Sequence, residues 1–75
     1  MERTNGMVDL NTATVDDLTQ IPGMKRRLAK NVVDRRAQVG RFYSVEDLLD
    51  VRGFSLPLLD RIRDQVQVGE AEEPA

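Results

Sequence analysis

The chain has no cysteine, no histidine and no tryptophan, and only one tyrosine and two phenylalanines among its 75 residues. Without cysteine there are no disulfides, no thiolate metal ligands and no thiol nucleophile. Without histidine the commonest general base and the commonest zinc ligand are missing, and a serine–histidine triad is impossible. The few aromatics leave a core to be built from Leu, Val, Ile and Met. No apolar run approaches the roughly 18 residues a membrane span needs. Residues 1–9 lack the apolar centre of a signal peptide. A carboxylate-only active site would need a lined pocket for which so short a chain has little room. The expectation is a binding module without enzymatic activity, without a catalytic metal and without membrane contact. A monomer is expected.

Charge is present and unevenly placed. The net value of −2 hides a segment, residues 25–41, that carries +6, between flanks of −3 and −5. Lys25, Arg26, Arg27, Lys30, Arg35, Arg36 and Arg41 supply it, opposed only by Asp34. Such asymmetry points to a polyanionic partner or, more plainly, to a solvated helix face with ion pairs.

The chain also repeats itself. Shifted by 30 residues, the segment 14–36 lies over 44–66 without a gap, with six identities and six conservative matches in 23 positions. Leu18/Leu48, Gly23/Gly53 and Leu28/Leu58 are among the identities. Each copy reads as helix, tight turn, helix. Thr14 and Ser44 are N-caps, and Asp17 and Asp47 stand three residues on at the capping-box spacing. This job accounts for the acidic pairs Asp16/Asp17 and Glu46/Asp47 better than a metal site does. The first helices are expected over about 15–20 and 45–50, the second over about 25–38 and 56–66. Apolar stripes Leu28, Ala29, Val32, Val33 and Leu58, Leu59, Ile62, Val66 define the core faces of the second helices. Gly40 ends the first long helix, Phe42 plugs the core between copies, and Tyr43 is expected half exposed. Val8 and Leu10 should pack back on the core.

At each turn the first free N–H groups of the second helix, with its dipole, form an anion site. The glycine allows close approach, and Met24 or Phe54 pins the loop. Such a device grips phosphate and leaves sequence unread. Ser55 is a good N-cap whose own oxygen competes for those amides, and Pro57 contributes no N–H. The second turn should therefore bind phosphate weakly.

The run LNTATVDDLTQIPGMKRRLA, followed by GRFYSVEDLLDVRGF, resembles the tandem helix-hairpin-helix domain of the ComEA family, competence proteins that capture double-stranded DNA for uptake. The likeness covers about residues 8–66 and extends to PsbU, a photosystem II subunit in which the domain serves protein contacts. It implies an all-α, SAM-like domain of four to five helices in two pseudo-two-fold copies, 14–36 and 44–66. This domain would span 8–68, between a flexible segment 1–7 and a disordered acidic tail 69–75. It implies sequence-independent DNA binding, with phosphate held by Gly23, Met24, Lys25, Arg26, Arg27 and Lys30 and more weakly by Arg52, Gly53, Phe54 and Ser55. By fold analogy the hairpins would straddle the minor groove. Related hairpins sometimes hold a monovalent cation on carbonyls, here those of Thr19, Ile21 and Met24; no other cofactor is expected. The sequence departs from the family's G-h-G-x-x-x-A pattern at Lys25, at Ser55 and at Leu59. That leaves an alternative: a protein-interaction module on the same scaffold, its contact at Leu56, Pro57 and Tyr43. The compartment depends on context: cytoplasmic if the chain is complete, extracytoplasmic if it belongs to an anchored ComEA-like protein.

Overall fold

A computed structural model describes residues 7–69; the expected flexible N-terminal segment (but for Met7) and all of the expected tail beyond Gly69 lie outside it. The element order is β1 (Val8–Asp9), α1 (Val15–Thr19), α2 (Arg26–Val39), a 3₁₀ helix (Val45–Asp50), α3 (Leu56–Ile62), a 3₁₀ turn (Arg63–Gln65) and β2 (Val66–Gln67). The chain is thus mostly helical, with one small departure from all-α.

Both short first helices start as their caps dictate. Thr14 Oγ1 accepts the Asp17 N–H at 3.1 Å, and Asp17 Oδ2 accepts the Thr14 N–H at 3.1 Å. Thirty residues on, Asp47 Oδ2 accepts the N–H groups of Tyr43 at 2.8 Å and Ser44 at 3.1 Å. The second of these helices winds as 3₁₀ over six residues, where its five-residue counterpart α1 is α-helical. The longest element, α2, ends at Gly40, whose N–H reaches the Arg36 carbonyl at 2.8 Å.

The last expected helix is shorter than its apolar stripe suggests. It is α-helical only to Ile62; Val66 is buried not on a helix face but in β2, paired in parallel with Val8. An i, i+4 apolar spacing fits the start of a helix, yet its last member also suits a strand, and spacing alone does not separate them. The pairing brings both ends of the described chain together. Leu10 N–H donates to the Gln67 carbonyl, and the Gly69 N–H donates to Asp9 Oδ1 at 3.0 Å. Gly69, expected at the head of the loose tail, is therefore held at its N–H, and its carbonyl accepts from Arg41 at 3.1 Å.

The core is aliphatic around one aromatic. Phe42 is 1% exposed, beside Leu10, Leu18, Leu48, Leu59 and Ile62, each fully buried. Tyr43, its neighbour, is 74% exposed, further out than expected. Asn11 fastens the linker that carries Phe42: its Nδ2 donates to the Phe42 carbonyl at 2.9 Å, and its Oδ1 accepts the Phe42 N–H at 2.7 Å. One side chain thus satisfies both backbone groups of a buried residue, as a strand partner would.

Two predictions concern this frame. Asn11→Ala should destabilise the fold by about 1–3 kcal/mol, because it leaves the Phe42 backbone groups unpaired; urea unfolding with an unchanged m-value checks it. The second concerns Glu46, which accepts from Arg63 Nη1 at 2.7 Å. That hydrogen bond, then a backbone hydrogen bond, holds the Glu46 carboxyl below its ordinary value. A lowered carboxylate value stabilises the fold above the unfolded-state value, and this contribution is lost as pH falls through the folded-state value. Stability measured from neutral pH down to about pH 3 should fall in wild type, and the Glu46→Gln variant should lose less over that range.

Candidate nucleic-acid interface

The two hairpin turns lie side by side. Gly23 and Gly53 have φ of +94° and +95°, a left-handed backbone that side chains rarely adopt. A Cβ at Gly23 would stand 3.2 Å from Leu58 Cδ1, and a Cβ at Gly53 would stand 3.2 Å from Leu28 Cδ1. Each turn thus rests on the leucine of the helix that follows the other turn. Asn31 adds a polar tie, its Nδ2 donating to the Arg52 carbonyl at 3.0 Å. Between the turns runs an open groove of about 370 Å³, lined by Gly23, Lys25, Arg27, Leu28, Asn31, Gly53 and Leu58. Its floor is apolar, and its cations come from the first hairpin only.

Hairpin one closes through the Met24 N–H, which donates to the Ile21 carbonyl at 2.9 Å. Ile21 and Met24 are both buried, so the loop is pinned as expected. The Ile21 carbonyl, proposed above as a cation ligand, has this amide as a partner; the Thr19 hydroxyl donates to Asp16 O at 2.8 Å. Lys25 is the N-cap of α2 with φ −80° and ψ 163°. This is ordinary extended backbone, so the position that is glycine in the family pattern does not require glycine here. No side chain caps α2. Among the described residues its first N–H groups, on Arg26, Arg27 and Leu28, therefore have no side-chain acceptor, and they lie next to Lys25 and Arg27.

Hairpin two differs. Phe54 is only half-buried, and its N–H donates to the Val51 carbonyl at 3.0 Å. Ser55 caps α3, its Oγ accepting the Leu58 N–H at 3.4 Å, with Pro57 in the first turn. Arg52 and Gly53 are exposed.

The basic segment separates into two groups. Arg26 pairs with Asp16 at 3.2 Å, and Arg35 faces Asp50 at 4.0 Å. Arg36 Nη1 donates to the carbonyls of Leu10 and Ala13 at 2.9 and 2.8 Å. Arg41 holds Gly69 and stacks on Tyr43, 4.9 Å from the ring centre. Lys25, Arg27 and Lys30 are exposed and take no part in an ion pair among the described residues. Of the residues expected at the first turn, Gly23, Lys25 and Arg27 line the groove and Met24 anchors it; Arg26 is partly neutralised. Sequence reading passed over Asn31 and counted Arg36 only as a cation that extends the contact or pairs with acids, not as a tie between carbonyls. Nothing in their spacing marks them, because both act on backbone carbonyls distant along the chain.

Among the described residues no cluster of three or more acidic side chains is arranged to hold a metal ion. Nor is any helix among them long and apolar enough to cross a membrane.

Comparison with known proteins agrees with this geometry. The family described as the helix-hairpin-helix motif matches residues 4–67. The chain is 43% identical over 68 residues to "Endonuclease/exonuclease/phosphatase family domain-containing protein 1" of Danio rerio, covering 91% of this chain and 12% of that protein. It is 31% identical over 62 residues to "ComE operon protein 1" of Bacillus subtilis, covering 83% of this chain and 30% of that protein. It is 31% identical over 67 residues to "Protein YhgF" of Escherichia coli, covering 89% of this chain and 9% of that protein. The chain therefore spans about an eighth of the first of these relatives, and the catalytic words in that name describe the whole of that much longer protein. With matching turns, matching cap spacing and a family match over most of its length, the chain belongs to the helix-hairpin-helix family, as a ComEA-like domain.

Proposed function

We propose that the domain binds double-stranded DNA without reading its sequence. The observation that carries this reading is the N-terminus of α2, which no described side chain caps, set beside Lys25 and Arg27 at the mouth of the inter-hairpin groove, with Lys30 exposed one turn further along α2. Outward N–H groups and a helix dipole fix a phosphate, and mobile ammonium and guanidinium groups add sequence-blind attraction. The two helix-turn-helix units act as pseudo-two-fold copies of a SAM-like domain, and the reciprocal glycine–leucine contacts support this. They place both turns on one face, as a module lying along a duplex groove requires. The domain has no catalytic part in this reading: its acidic pairs are taken up by caps and ion pairs. Asp17 and Asp47 hold backbone N–H groups, Asp16 holds Arg26, and Glu46 holds Arg63. In a longer protein such a domain would deliver DNA to a neighbouring function.

The alternative, a protein contact at Leu56, Pro57 and Tyr43, has exposed side chains in its favour: Leu56 is 54% and Tyr43 74% exposed. Charge favours DNA, because three cations at and just after one turn, without ion-pair partners among the described residues, would be idle in an apolar protein contact.

The test is a titration of a labelled random-sequence duplex at several salt concentrations. Three neutralised phosphates predict a log–log slope of about −2.7, with Kd on the order of 10⁻⁴ to 10⁻⁶ M at physiological salt. The variant Lys25→Glu/Arg27→Glu/Lys30→Glu should abolish binding while its circular dichroism and unfolding midpoint stay near those of wild type. Equal binding by this variant would place the interface elsewhere. Nuclease-resistant capture of a protein, with no DNA binding even at low salt, would favour the protein-contact reading.

A further inference from the structure

The two turns share a face but not a chemistry. Hairpin one offers amides without a side-chain cap and, near them, three exposed cations that form no ion pair among the described residues. At hairpin two the Ser55 hydroxyl already takes the Leu58 N–H, and Pro57 has no N–H to give. The first residue of α3 is Leu56, 54% exposed, where α2 begins with Arg26. Behind this turn a second groove, of about 400 Å³, carries Asp34 and Asp50 along with Arg35 and Arg52. Its two carboxylates offset its two guanidiniums, and Arg35 already faces Asp50. Of the first three α3 positions only Leu56 thus has an N–H left for phosphate, and this side adds no net positive charge.

Yet hairpin two cannot stand clear of a duplex seated on hairpin one. Leu58 packs at Gly23 and Leu28 at Gly53, so the second turn is fixed next to the first. The strand opposite the gripped one must meet it. Resting on the DNA-binding reading above, we propose that the domain holds one strand of the duplex by charge and meets the other through Leu56 and Pro57. That second contact is apolar, in the minor groove, where Leu and Pro side chains of minor-groove binders press against and between base steps. Leu56 is then a determinant of affinity that salt does not weaken.

Charge on one strand can be removed chemically. In a duplex with one strand built of uncharged methylphosphonate linkages, the domain can still grip the other strand. Half the binding orientations survive, and the less charged duplex releases fewer counterions per contact, so affinity should fall only a few-fold and the salt slope should ease from about −2.7 to about −2.1. A grip on both strands would instead lose phosphate contacts in every orientation. A loss beyond about ten-fold, with the slope cut to about half or less of its value on the unmodified duplex, would therefore overturn the proposal. Leu56→Ser should weaken binding to the unmodified duplex several-fold with the slope unchanged; undiminished affinity would remove Leu56 from the interface and overturn its part. Leu56→Arg/Pro57→Lys should steepen the slope by up to about two and make neutralisation of one strand costly. An unmodified duplex left unbound at about 20 mM salt would instead sink the DNA-binding reading itself, and the one-strand grip with it.

Discussion

The reciprocal seating of each hairpin turn on the other's leucine is the contact from which the functional face follows. Two left-handed glycines leave room for Leu58 and Leu28 to approach to 3.2 Å of where a Cβ would be. A larger residue at either position would strain the backbone and push the leucine away at once. Because the contact is made in both directions, neither turn can shift without disturbing the other. The apolar groove floor, the neighbouring cations and the Asn31 tie all inherit their positions from it.

Charge in this molecule divides by what its geometry allows. Guanidinium groups carry several donors in a rigid fork, and four of the arginines in the basic segment are drawn into the fold in this way. Arg36 bridges two carbonyls that close the loop before α1, and Arg41 ties the Phe42 linker to Gly69. Arg26 and Arg35 pair with carboxylates at the surface, interactions that contribute little stability but do reduce the local positive potential. Lys25, Arg27 and Lys30 are the cations of this segment that stay exposed without an ion pair among the described residues. The net +6 of residues 25–41 thus overstates the charge available to a ligand.

Much of the architecture was legible in the chain because local chemistry sets it. The caps at Thr14 and Ser44 and the glycines at 23 and 53 act within a few residues, and the structure shows them acting as their spacing suggests. The burial of Phe42 and Met24 was equally readable, since few large apolar side chains were available to fill the centre. The features that escaped are long-range. Val66 leaves the helical stripe for a strand because Val8 waits beside it, 58 positions away. Asn11 and Arg36 spend their donors on carbonyls more than 20 residues distant, and no periodicity announces such a pairing.

The sequence by itself determined that there would be two helix-turn-helix units, where each would begin and turn, and that the first turn would be the basic one. Those properties depend on backbone angles and hydrogen bonds between near neighbours, which residue type controls directly. Only the tertiary structure decided that the two turns form one face, which cations stay free on it, and that the chain's described ends are tied together. Those outcomes depend on which distant groups come within bonding distance, and that is settled when the core closes around Phe42 and not before.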